Sequence, residues 1–113
     1  MTNFLEIHWT SGSLDEARKI SRYLVQERYA ASAQIIPWIE SIYMWNNQLE
    51  TGQESKIILK APESNYEKIK EIILSNTTYQ VPEILFNKIE GGYEEYLDWL
   101  AESTPAEFSN STP

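Results

Sequence analysis

Between Ala31 and Lys60 two strand-like runs stand back to back around Asn46-Asn47, and this pair constrains the fold more than any other feature of the sequence. The first run carries Ile35, Ile36, Ile39, Ile42, Tyr43 and Trp45; the second extends from Leu49 to Lys60 and contains the apolar block Ile57-Ile58-Leu59. Asparagine tolerates the positive φ that a tight hairpin requires, so the two runs read as one long β-ribbon. Pro37 interrupts the first run. It cannot donate to a strand ladder, which implies an edge, a bulge or a bend at that point.

The remaining elements arrange themselves around this ribbon. Phe4 to Thr10 alternates Leu5, Ile7 and Trp9 against Glu6, His8 and Thr10, the period of a strand. Thr10-Ser11-Gly12 turns the chain, and Ser13 with Glu16 forms a capping box that opens a helix ending near Tyr29. Ala61-Pro62-Glu63 breaks the second ribbon strand. Ser64 with Glu67 reads as another capping box, before a helix with Tyr66, Ile69, Ile72 and Ile73 on one face. A strand is expected over Val81 to Ile89, a turn at Gly91-Gly92 and a short last helix from Tyr93 to Glu102. The order β-α-β-β-α-β plus a terminal helix is the split, ferredoxin-like α+β arrangement, with an antiparallel four-stranded sheet and two helices on one face. The domain is expected to span residues 1–102, with 103–113 as a mobile tail rich in Ser, Thr and Pro. The other sheet face is left bare. A bare face carrying Trp, Tyr and Ile calls for cover by neighbouring copies of the chain.

Composition narrows the chemistry. The chain has 113 residues, a formal net charge of −8 and no cysteine. Disulfides, thiol nucleophiles and thiolate metal sites are thereby excluded, and a cytoplasmic location is expected. An acidic surface repels phosphate backbones and anionic bilayers, so neither nucleic acid nor membrane is expected as a partner. The N-terminus lacks the basic and apolar regions of a signal peptide, and no apolar run approaches membrane-spanning length.

No conventional catalytic set is present. His8 is the only histidine, and no nucleophile elbow or Walker loop occurs. His8 reads as a strand residue satisfied by hydrogen bonds; alternatively, three copies around a trimer axis could hold a metal. Thr10 to Ser13 leads into a helix N-terminus that could attract an anion, but it contains no Lys or Arg, and ordinary capping explains it. Glu50 and Glu54 share one ribbon face by their even spacing, as a cation-binding or acid–base pair or as a solvated edge. Glu90, Glu94, Glu95 and Glu102 read as the solvated side of the last helix. Trp38, Tyr43, Trp45, Tyr79, Tyr93, Tyr96 and Trp99 read first as core and interface.

Five collinear segments carry a resemblance. Tyr29-Ala30-Ala31-Ser32-Ala33-Gln34-Ile35-Ile36-Pro37, Ser41-Ile42-Tyr43-Met44-Trp45, Ser55 to Ala61, Tyr79-Gln80-Val81-Pro82-Glu83-Ile84 and Gly92 to Leu100 are together similar to the CutA family of divalent-cation-tolerance proteins. The resemblance covers about residues 5 to 102. It implies a ferredoxin-like fold assembled as a homotrimer through the ribbon, a role in the response to metal ions, copper above all, and no enzymatic reaction. It also implies that little of a copper site survives. Trp9 and Ser32 stand where family members carry Cys, Asn76 or Thr77 where some carry His, and Trp38 and Asn47 where they carry Gly. Of the acid, Cys and His positions tied to copper, Glu54 remains. Copper(II) prefers nitrogen and sulfur donors, so Glu54 and His8 would support only weak binding of copper or another divalent cation. No other cofactor is expected. The competing reading is a trimeric scaffold that engages a protein partner without a metal function. Small-anion regulators and acylphosphatases are disfavoured by the missing basic residues at Thr10 to Ser13.

Overall fold

A computed structural model describes residues 3–105 of the chain. Strand β1 (Phe4–Ser11) leads to helix α1 (Leu14–Gln26), the ribbon strands β2 (Ser32–Trp45) and β3 (Gln48–Pro62), helix α2 (Tyr66–Asn76), strand β4 (Ile84–Ile89) and helix α3 (Glu94–Ser103). The four strands form one antiparallel sheet in the order β2-β3-β1-β4. This is the split βαβ order expected from the sequence.

One face of the sheet builds the core. Leu5, Ile7 and Trp9 of β1 and Ile57, Leu59 and Ala61 of β3 alternate inward. They meet Ala17, Ile20 and Leu24 of α1 and Ile69 and Ile73 of α2. The opposite face is not wholly bare, as expected above: α3 covers one end, packing Leu100 and Leu97 on Phe4, Ala31 and Ile89. Of the aromatic residues read as core and interface, most lie outside the core of the single chain, and Tyr79 is half-buried. Trp38, Tyr43, Trp45, Tyr93, Tyr96 and Trp99 are exposed in the single chain, and the fully buried tryptophan is Trp9. Its Nε1 has no hydrogen-bond partner among the described residues.

The ribbon follows its turn chemistry. Asn46 and Asn47 have φ of 52° and 64°, and Trp45 pairs with Gln48, which makes a two-residue hairpin of the primed type. Ile36 pairs with Lys56 and Ile39 with Glu54, so Pro37 and Trp38 together oppose Ser55. That two-for-one bulge sits on an edge strand, where proline's missing N–H is harmless. Trp38 adopts φ 60° at the bulge. A side chain there costs roughly 1–2 kcal/mol that glycine would avoid. Beyond the bulge the ribbon runs clear of the helix layer, and its residues from Gln48 to Thr51 are exposed.

Several boundaries differ from the sequence reading. Helix α1 stops at Gln26 rather than near Tyr29, because Arg28 turns left-handed (φ 64°) while its N–H donates to Val25 O and that of Tyr29 to Leu24 O. These are the two bonds of a Schellman motif. Strand β3 continues through Ala61 and Pro62, because β1 still pairs there. The capping box at Ser64 is absent. A 3-10 turn over Glu63–Asn65 leads into α2, and the N-cap is Asn65, whose side chain donates to Tyr29 O at 2.9 Å. Strand β4 begins at Ile84, not Val81, since Pro82 cannot join a ladder. At the C-terminus Thr104 is buried and its hydroxyl donates to Leu100 O, so the docked chain reaches past residue 102. Residues 106–113 of the expected tail lie outside the described residues.

Candidate functional site

The polar chemistry concentrates where β1 ends, α1 begins and the connection from α2 to β4 crosses the base of the ribbon. Ser13 caps α1: its Oγ accepts from Glu16 N at 3.2 Å. That is half of the expected capping box. The Glu16 carboxylate does not return to the cap. It accepts from Ser11 Oγ at 2.7 Å, Thr78 N at 3.1 Å and Thr77 Oγ1 at 3.3 Å. One carboxylate therefore ties the start of α1 to a segment more than 60 residues later. The side chain at the N-terminus of α1 is that of Ser13, in agreement with the capping explanation.

The clip places Tyr79. Its N–H donates to Thr77 Oγ1, and its phenol donates to Glu54 Oε2 at 2.6 Å. The ring lies against Gly12, where a Cβ would come 2.8 Å from the phenol oxygen. Glycine is needed here for this close approach. Burial, then the hydrogen bond to Glu54 and its charge, push the Tyr79 phenol well above the ordinary tyrosine range. Tyr79 thus remains a proton donor at all physiological pH values.

The residues singled out from sequence divide plainly. Glu54 lies at this centre. Glu50 pairs with Tyr43 further out on the ribbon, on the same face but about 13 Å along the strand, and the two carboxylates do not meet. His8 faces away from the core, as alternation with Trp9 requires, and its Nε2 lies 3.0 Å from Glu6 Oε1. It sits opposite Ile58, so Glu54 is about 14 Å away and the two are not brought together in one chain. Glu90, Glu94, Glu95 and Glu102 are exposed. No group of three or more His, Cys, Asp or Glu able to share a metal ion occurs among the described residues. No helix there is long and apolar enough to cross a membrane. Sequence reasoning missed the second role of Glu16 and the Gly12–Tyr79–Glu54 contact. The capping-box signature explained Glu16 too early, and nothing local links Gly12 to Tyr79.

Between the ribbon and the segment from Tyr79 to Glu83 lies a cleft of about 480 Å3, lined among others by Tyr43, Trp45, Glu54, Tyr79 and Glu83. The family model described as CutA1 divalent ion tolerance protein matches residues 6–103, which takes in this cleft and all of the sheet but Phe4 and Leu5. The chain belongs to the CutA1 family. It is 40% identical to the divalent-cation tolerance protein CutA of Thermus thermophilus over 95 residues, covering 84% of this chain and 92% of that protein. The chloroplastic CutA of Arabidopsis thaliana is 35% identical over 98 residues, or 87% of this chain. The chain spans about half the length of that plant relative, 54%, and 55% of the rice chloroplastic CutA 1. Among solved structures, CutA1 of Thermus thermophilus superposes with a TM-score of 0.86 at 37% identity, over 90% of this chain and 99% of that one. The crystal structure of CutA1 from Oryza sativa gives 0.88 at 31% identity, over 92% and 95%. The antiparallel sheet, its helices and the long ribbon are thus shared with solved CutA1 proteins.

Proposed function

We propose that this chain acts as a homotrimer in the response to divalent metal ions, and that its own binding of copper or another divalent cation is weak. The observation that carries the trimer is the apolar surface a single chain leaves in water. Trp38, Ile42, Met44, Leu49, Val81 and Leu85 are each more than 60% exposed, and most lie on the ribbon. Soluble monomers rarely expose contiguous apolar patches of this kind. Membership in a family named for divalent ion tolerance supports the metal role. Weak ligation follows from the donor set. Glu54 already accepts from Tyr79, His8 is engaged with Glu6, and the two stand far apart in one chain. A tighter site would need donors from several copies. No reaction is assigned to the protein.

A second reading, a trimeric scaffold for another protein, is favoured by Trp38. A bulky residue held at positive φ and 70% exposed is not explained by packing within the chain.

Two measurements test these readings. Light scattering should give three times the chain mass of 13.2 kDa; a stable monomer would overturn the assembly. Calorimetric titration of the metal-stripped protein with copper(II) should give weak binding that Glu54→Gln or His8→Ala abolishes. No binding by the unaltered protein would move the metal role to a partner and favour the scaffold.

A further inference from the structure

The cations of this acidic chain are engaged unevenly. Lys56, Lys68 and Lys70 stand in ion pairs, and Lys60 donates to Gln34. Arg18 and Arg22 of α1 make no ion pair among the described residues, although the chain carries 17 acids. Four residues apart, they are mutually repelling neighbours on one side of the helix. Both line a groove of about 660 Å3 between α1 and the edge strand β2, within the size range of small-ligand sites. Val25, Ala33 and Ile35 give it an apolar wall, and no Asp or Glu lines it. Ser21 stands between the two arginines, only 3% exposed, and also lines the groove. Its Oγ has no hydrogen-bond partner among the described residues. A buried hydroxyl left unpartnered costs stability, and an oxygen held in the groove would satisfy it. The groove is clear of the surface assigned to contacts between copies. Trp38, Ile42, Met44 and Leu49 lie at or beyond the bulge, Val81 and Leu85 just before and within β4 at the opposite edge, and none of them lines it.

Charge and shape select the ligand. Guanidinium forks match the oxygens of carboxylates and phosphates. A carboxylate carries one charge and would leave one of the two arginines unanswered. A phosphate monoester is close to dianionic at neutral pH, and its three terminal oxygens can accept from both guanidinium groups and from Ser21 Oγ. Its organic group would lie against Val25, Ala33 and Ile35, where inorganic phosphate has nothing to place. We propose that the groove between α1 and β2 binds a small organic phosphate monoester, with Arg18 and Arg22 gripping the phosphate, Ser21 donating to one of its oxygens and the apolar wall holding the organic group. The site contains neither Glu54 nor His8, so it goes beyond the metal-ion reading and does not depend on it.

The test uses the full chain in its native assembly, stripped of metal, at a pH well above the second phosphate pKa of about 6. The probes are phenyl phosphate, inorganic phosphate and benzoate. In calorimetric titration phenyl phosphate should bind at about millimolar affinity or tighter, and the other two at least roughly fivefold more weakly. Arg18→Gln and Arg22→Gln should each weaken phenyl phosphate about tenfold. Lys19→Gln removes a neighbouring α1 cation that does not line the groove, and should change the affinity by less than about twofold. Ser21→Ala should weaken binding roughly three- to tenfold while leaving stability in denaturant equal to or above that of the parent, because it removes an unpartnered hydroxyl. A loss of stability in that variant would assign the hydroxyl to the fold and overturn the three-donor site; should it fail to fold, the variants of the exposed Arg18 and Arg22 carry the test. No phenyl phosphate binding by the unaltered chain, equal binding of benzoate or of inorganic phosphate, or losses as large in Lys19→Gln as in Arg22→Gln would overturn the proposal.

Discussion

Replacing Tyr79 by Phe removes one hydroxyl and leaves the ring against Gly12, so it isolates a single hydrogen bond. That bond runs from the phenol to Glu54 Oε2 at 2.6 Å, short and charge-assisted. Bonds to charged groups contribute about 1.5–3 kcal/mol when well shielded. Tyr79 is only partly buried, so solvent competes and the expected loss is about 1–2 kcal/mol. The assay is urea denaturation at one fixed chain concentration, because assembly makes apparent stability concentration-dependent. The pH dependence supplies an independent check. The folded-state pKa of Tyr79 lies above its unfolded value near 10, so the bond's contribution is complete below pH 10 and declines as pH rises toward the folded value. The gap between the unaltered protein and Tyr79→Phe should therefore be constant across neutral pH and close only in strong alkali. Absorbance at 295 nm should also show two of the seven tyrosines titrating late, Tyr93, raised by its bond to Glu95, and after it Tyr79, and Tyr79→Phe should abolish the later step. A variant as stable as the parent, with the later step still present, would refute the account of this centre.

The other predictions concern the parts that hold the centre in place. Gly12→Ala should reproduce the loss of the later-titrating tyrosine, because the new Cβ would stand 2.8 Å from the phenol oxygen and drive the ring off Glu54; an unchanged alkaline titration would contradict the contact. Glu16→Ala should destabilise by about 2 kcal/mol and speed exchange of the Thr78 amide, as three donors lose one carboxylate. A slow Thr78 amide in that variant would show that the clip does not hold the segment. Arg28→Gly should stabilise by about 0.5–1 kcal/mol in denaturant titrations, since glycine meets no penalty at φ 64° in the Schellman turn but loses more chain entropy. A loss of stability would mean that the Arg28 side chain does more than tolerate its backbone. Trp9→Ala should remove about 3–5 kcal/mol by emptying the largest fully buried side chain.

Periodicity and turn chemistry determined most of the fold without reference to coordinates. Leu5, Ile7 and Trp9 alternate at the strand period, and the same residues line the core. Asn46-Asn47 fixed the ribbon's register because few residues accept positive φ twice in succession. Pro37 announced an edge, a bulge or a bend because it lacks a donor, and the pairing shows a bulge on an edge strand. These features are local, and local patterns can be read along a chain. The resemblance, carried by collinear segments, likewise needed no coordinates to indicate the family.

The centre was legible only in part. Glu54 was singled out as a candidate metal ligand, whereas its hydrogen bond from Tyr79, 25 residues away, was not foreseen. Glu16 looked complete as a capping residue, yet its carboxylate serves Thr77 and Thr78 across the fold. The aromatic residues of the ribbon were read as core and interface because bulk usually means burial, and the tertiary structure placed them outside the core of the single chain. The separation of His8 from Glu54 followed from register, which pairs His8 with Ile58 and puts Glu54 four residues further along β3. The sequence by itself determined which residues alternate, turn and cap, because those choices depend on neighbours along the chain. Only the tertiary structure decided which side chains meet, because a contact between Gly12 and Tyr79 or between Glu16 and Thr78 depends on how distant segments are packed together.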